Sequence, residues 1–132
     1  MKVGFVCGAF DLLHAGHLMM LAQCKDSCDK LIVGLQVDPS IERKDKNKPI
    51  ESLIERMIRL DSCRFVDQVI PYEKDEEIET ILKMKNVDIR FLGSDYLKKP
   101  EEIKFKDLVP IKYTYWFPPT STTLRERIKK AK

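Results

Sequence analysis

The stretch VGFVCGAFDLLHAGHL, Val3 to Leu18, decides the fold. Val3 to Cys7 is a short apolar run closed by Gly8, which reads as a buried strand. From Leu18 to Cys28 the pattern turns helical, with Leu18, Leu21, Ala22 and the stem of Lys25 on one face. Both histidines of the chain, His14 and His17, fall between, at the entry to that helix. An apolar strand that passes through a glycine turn into a helix is the opening of a βαβ unit.

The rest of the chain repeats the alternation. Lys30 to Val37 (KLIVGLQV) is a second apolar strand, stopped by Asp38-Pro39. A polar, lysine-rich loop runs to Pro49, which is expected to open a helix in which Leu53, Ile54, Met57, Ile58 and Leu60 recur at helical spacing. Phe65 to Pro71 predicts a third strand, Glu76 to Lys85 a helix, and Val87 to Leu92 a fourth strand ended by Gly93-Ser94-Asp95. Ile111 to Phe117 predicts a fifth strand, broken by Pro118-Pro119. Thr120 to Thr123 supply capping hydroxyls for a last helix, Leu124 to Lys130. Apolar strands alternating with helices call for a five-stranded parallel sheet covered on both faces, an α/β, Rossmann-like three-layer sandwich. Ligands of such sheets sit beyond the carboxyl ends of the strands.

At 132 residues, 43% hydrophobic and 34% charged, the chain is expected to form a single domain, residues 1–132. A net charge of +3 does not suit a bulk nucleic-acid binder. No stretch approaches the ~20 apolar residues of a membrane span, and MKVGFVCG is too soon interrupted to serve as a signal peptide. The expected location is therefore the cytoplasm, with the four cysteines as reduced thiols. Cys24 and Cys28 share a helix face, either as a metal pair or as small packing residues.

Residues three apart on a helix point to one spot, so the rings of His14 and His17 converge. Gly16 between them lets a ligand approach the backbone, and a helix start offers amide donors to an anion. Two imidazoles, amides and a glycine make a phosphate cradle. The alternatives are a zinc pair, with Asp11 or Cys7 as further ligands, and histidines satisfied by caps and water.

GAFDLLHAGH, Gly8 to His17, resembles the GxFDxxHxGH signature of the HxGH-motif nucleotidyltransferases, and among them the small cytidylyltransferases that act on glycerol 3-phosphate. The resemblance extends over nearly the whole chain. It includes the lysine loop (Lys44, Lys46, Lys48), Arg56 in IERMIRL, the turn Gly93 to Tyr96, and the helix start Ser121-Thr122-Thr123.

The resemblance implies transfer of CMP from CTP, with magnesium, to a small phosphomonoester, best guess glycerol 3-phosphate, releasing pyrophosphate. It implies that His14 and His17 donate to the triphosphate, that Lys46 and Lys44 close over the phosphates, and that Arg56 holds the acceptor phosphate or the triphosphate. Ser121, Thr122 and Thr123 would bind the β- and γ-phosphates, and Gly8, Ala9, Phe10 and Gly16 would line the nucleotide site. Gly93 and Asp95 would border the base and ribose. Asp11 would either contact phosphate-bound magnesium or orient the first loop. Expected partners are CTP and the acceptor, with no nucleic acid and no membrane, in a homodimer.

Two departures stand out. Ala9 replaces a threonine common in the family, and YWFPPTSTT stands where an arginine-bearing RTEGIS stretch is usual. Trp116 or Phe117 either stacks on the base or belongs to the sheet core. These changes keep open an adenylyltransferase, a sugar-phosphate nucleotidyltransferase, or a nucleotide-binding protein without turnover.

Overall fold

A computed structural model describes residues 1–115 and 121–131, and of Ser121 only the backbone. Five strands, β1 (Val3–Gly8), β2 (Lys30–Gln36), β3 (Gln68–Tyr72), β4 (Ile89–Gly93) and β5 (Ile111–Thr114), form one sheet in the order β3-β2-β1-β4-β5. Every pairing is parallel. The order reverses beside β1, so the switch point lies between β1 and β4, as the α/β, Rossmann-like reading requires.

Helices α1 (Ala15–Asp26) and α2 (Leu53–Asp61) cover one face, packing Met20, Leu21, Cys24 and Leu60 on Val6, Leu31, Val33 and Phe91. Helix α3 (Glu76–Met84) covers the other, with Ile78, Ile81 and Leu82 on Phe5 and Ile32. The last helix, α4, spans Ser121–Lys130. β1 and β2 carry continuous apolar runs because helices lie on both faces. Close packing leaves no room at Gly34, where an added Cβ would stand 2.7 Å from the Phe5 ring.

Several boundaries differ from the expected ones, each for a local reason. α1 starts at Ala15, three residues before Leu18, because His14 caps it with its own ring. Its buried face is Gly16, His17, Met20, Leu21 and Cys24, whereas Leu18 is exposed. α2 starts at Leu53 rather than at Pro49, because Ser52 and Glu55 form a capping box. Ile54 and Ile58, expected on its apolar face, are exposed; Arg56 and Leu60 are the buried pair. β3 begins at Gln68 because Cys63 to Val66 is a turn, and β4 begins at Ile89 because Asn86 adopts φ 50°, ending α3 as a left-handed cap. Two 3₁₀ turns, Ser94–Lys98 and Pro100–Glu102, follow β4 without having been expected. α4 starts at Ser121, so Thr122 and Thr123 lie within its first turn rather than before it. Trp116 to Thr120, including the two aromatic residues weighed for base stacking, lie outside the described residues.

Candidate active site

The β1–α1 connection carries the convergence read from the sequence. His14 Nδ1 accepts the Gly16 N–H at 3.1 Å, and His17 Nδ1 accepts the His14 N–H at 3.2 Å. The two histidines thereby form a reciprocal capping box in place of the usual Ser and Glu. Their rings stack at 3.9 Å between centroids. With Nδ1 accepting in each, the neutral rings carry their protons on Nε2, as donors. Burial, then the neighbouring His14, pushes His17 down to about 4, against an opposing pull from Asp11. Burial lowers His14 as well. Both rings are therefore neutral donors at neutral pH.

The loop before them is strained. Phe10 and Leu12, neither of them glycine, sit at φ 48° and 51°. Three acidic and basic side chains hold that shape. The Asp11 carboxylate accepts the N–H groups of Ile50 (2.8 Å) and Glu51 (2.9 Å). The Glu51 carboxylate accepts the Leu12 N–H at 2.8 Å and pairs with Arg59 at 2.7 Å. Arg56, 2% exposed, donates Nη1 to the carbonyls of Ala9 and Gln36, Nη2 to Val37, and Nε to Glu51 and Ser52.

These bonds bear on two expected roles. The guanidinium of Arg56 donates to five backbone carbonyls and so positions the loops. Asp11 ties the first loop to the start of α2, the second of its two expected roles, with each carboxylate oxygen holding a backbone amide. No group of three or more His, Cys, Asp or Glu among the described residues is arranged to hold a metal. Cys24 is instead fully buried beside Met20, its thiol pushed up to about 12 by burial first, and Cys28 bonds the Cys24 carbonyl.

A cavity of about 310 Å³ opens at the carboxyl ends of β1 and β4. Gly8, Ala9, Phe10 and His17 form one wall, and Gly93, Asp95 and Tyr96 another. Lys46 reaches its rim from the loop after β2; Lys44 is exposed on the same loop and does not line it. Arg125 of α4 approaches Asp11 at 4.0 Å, which brings the last helix to the first loop. Thr122 is exposed and Thr123 half-buried in that helix.

Sequence reasoning missed six further lining residues: Gln36, Tyr72, Asp75 and Arg90, which are buried, and Arg43 and Lys104, whose side chains are exposed. Two of them left a signal: Gln36 follows the apolar run Leu31 to Leu35 as the last residue of β2, and Arg90 interrupts the apolar residues of β4. Asp75 is 3% exposed and pairs with Lys104 at 3.1 Å and Arg43 at 3.4 Å.

Comparison with known proteins agrees with this architecture. The chain is 45% identical over 96 residues to the Bifunctional protein HldE of Paramagnetospirillum magneticum, covering 72% of this chain and 20% of that one. It is 38% identical over 134 residues to the protein of the same description from Campylobacter concisus, covering 99% and 28%. The chain thus spans between a fifth and just over a quarter of these curated relatives. Among solved structures, the lipopolysaccharide core biosynthesis protein from Thermoplasma volcanium superposes with a TM-score of 0.69 at 25% identity, covering 91% of this chain and 99% of that one. The pantoate-beta-alanine ligase from Francisella tularensis shares the fold, at a TM-score of 0.59 and 19% identity, over 97% and 69% of the two chains. The model of the cytidylyltransferase-like family matches residues 5–126, and the chain belongs to that family of nucleotidyltransferases.

Proposed function

We propose that the protein transfers a nucleotidyl group from a nucleoside triphosphate to a phosphomonoester. A phosphate oxygen of the acceptor attacks the α-phosphorus, the bond from that phosphorus to the bridging oxygen breaks, and pyrophosphate leaves. A phosphomonoester is already anionic near neutral pH, so the enzyme's task is to hold two anions together and meet the charge that builds on the transferring and leaving groups.

The observation that carries this reading is the pair of stacked, neutral imidazoles at a helix start, each with Nδ1 bound to backbone and Nε2 as donor; His17 lines the cavity and His14 stacks on it from outside the lining. Such preorganised donors suit an α-phosphate in flight. Lys46 and the amide end of α4 would take the β- and γ-phosphates. Magnesium would arrive with the triphosphate, since the described carboxylates form no cage for it.

CTP is the donor favoured by the family, and ATP is the second reading, because no arginine precedes the last helix in YWFPPTSTT. For the acceptor, the sequence resemblance favours glycerol 3-phosphate. The likeness to a protein described as acting in lipopolysaccharide core synthesis favours a sugar phosphate, and we adopt that reading. A homodimer in the cytoplasm is what the sequence resemblance implies; no helix among the described residues is long and apolar enough to cross a membrane.

The test is pyrophosphate release from each of four nucleoside triphosphates with magnesium, against glycerol 3-phosphate and a set of sugar phosphates. Release with one pair is expected. Nucleotide binding without release from any pair would return the protein to the class of non-catalytic nucleotide binders.

A further inference from the structure

Asp75 stands immediately before α3, at the position where a helix is usually capped, and aspartate is a residue that caps. It does not cap. No side-chain bond runs from Asp75 to its own helix, and the Glu77 carboxylate takes the N–H groups of Glu73 and Lys74. The Asp75 carboxylate turns instead to two cations from separate loops, Arg43 at 3.4 Å and Lys104 at 3.1 Å. The Asp75 side chain is 5% exposed, whereas those of Arg43 and Lys104 are 38% and 55% exposed. An ion costs most where water cannot reach it, so the carboxylate is the fixed partner and the loops come to it.

The contact with the β2–α2 loop is double. Consecutive residues of that loop both meet residue 75: the Glu42 carboxylate accepts the Asp75 N–H at 3.5 Å, and the Asp75 carboxylate accepts Arg43 Nη2. The Arg43 N–H donates to the Pro39 carbonyl at 3.1 Å, and the Lys46 N–H to the Arg43 carbonyl at 3.0 Å. Lys46 therefore follows the anchored residue by a single turn. Taken as whole residues, all of Ile41 to Lys48 are exposed except Arg43, which is half-buried. On the far side, Arg90 Nη1 donates to the Lys104 carbonyl and so holds the backbone that carries the second cation. Arg43, Lys46, Asp75, Arg90 and Lys104 all line the cavity.

We propose that Asp75 is a positioning residue for nucleotide binding: it holds Arg43, and through the Arg43 turn Lys46, at the cavity before the triphosphate arrives. The inference rests on the nucleotidyl-transfer reading above and deepens it. Asp75 acts through Arg43, because a carboxylate facing the phosphates directly would meet them as a like charge. One carboxylate shared by two cations leaves one positive charge over, and Lys46 adds another at the rim, which suits a polyanion. A loop ordered in advance removes part of the entropy that binding must otherwise overcome. Asparagine at this position keeps the shape and loses the charge. Both cations, already partly in solvent, then turn to water, so the effect falls on the loop and not on the core.

The test measures hydrogen exchange of residues 39–48 in the free protein, binding of CTP and of ATP by calorimetry, and pyrophosphate release. It compares wild type, Asp75→Asn, Arg43→Gln and the double variant. In Asp75→Asn, exchange of the segment is expected to rise about tenfold. The Kd and KM of the triphosphate that binds should rise about tenfold, with kcat held within about twofold. The double variant should bind no more weakly than Arg43→Gln alone, since Asp75 acts through Arg43. Unchanged exchange, an unchanged triphosphate Kd, or additive losses in the double variant overturns the assignment. Should Asp75→Asn fail to fold, Arg43→Gln reads the same loop from an exposed side chain, and unchanged exchange and Kd there overturn it equally. Absence of release from wild type with every acceptor overturns nucleotidyl transfer instead, and exchange and triphosphate binding still decide on Asp75.

Discussion

Asp11 and Glu51 tie the first loop to the start of α2 in both directions: the Asp11 carboxylate accepts the Glu51 N–H at 2.9 Å, and the Glu51 carboxylate accepts the N–H of Leu12, the residue after Asp11, at 2.8 Å. This reciprocal latch joins the strained loop ahead of the histidines to the start of α2. Charge-assisted bonds to carboxylates are the stronger kind. Asp11→Ala is expected to cost about 1–3 kcal/mol by urea denaturation and to reduce turnover, because Phe10 and Leu12 no longer hold their left-handed backbone. Unchanged stability and turnover together would remove the latch from the account.

Arg56 makes the companion test. Arg56→Met leaves the carbonyls of Ala9, Gln36 and Val37 without their donor, and a loss of roughly 3 kcal/mol is expected. Arg56→Lys should recover little of it, since one ammonium does not reproduce the guanidinium fan. A variant as stable as wild type yet inactive would instead make Arg56 a phosphate contact.

His14→Ala and His17→Ala are expected to lower kcat by about a hundredfold or more each, as loss of a preorganised donor does. The cost to stability should be about 1 kcal/mol, that of a helix cap. Near-normal kcat in either variant would exclude that ring from the transition state.

The burial of His17 also sets a pH dependence. Its folded value of about 4 lies below the ordinary 6.5, so protonation favours the unfolded chain. Stability is full above pH 6.5 and falls as the pH drops toward about 4, by on the order of 3 kcal/mol at one pH unit per ~1.4 kcal/mol. His17→Gln should flatten the urea midpoint over that range. A midpoint equally steep in the variant would assign the acid sensitivity elsewhere.

Lys46 is exposed at the cavity rim, so Lys46→Ala should leave stability within about 0.5 kcal/mol. The nucleotide KM should rise several-fold, and more at low salt than at high. Identical kinetics at both salt concentrations would make it a solvated loop residue.

Much of this protein was legible in the chain alone. Apolar runs of strand length, separated by helical periodicity, determined a parallel sheet with two covered faces, because each signal lies within a few residues along the chain. GAFDLLHAGH placed two imidazoles at one helix start for the same reason: residues three apart share a face whatever surrounds them. Boundaries such as Leu53 slipped where a capping box, Ser52 and Glu55, outweighed a proline at Pro49. Only the tertiary structure decided what Arg56, Asp11 and Arg90 do. Arg56 meets Ala9 across 47 positions, and Asp11 meets Glu51 across 40, distances over which no local pattern reports a partner. The strand order sets β1 between β2 and β4, and so brings Gln36 and Arg90 to one cavity. That convergence belongs to the order of the strands in the sheet, which the pattern within any one strand does not carry.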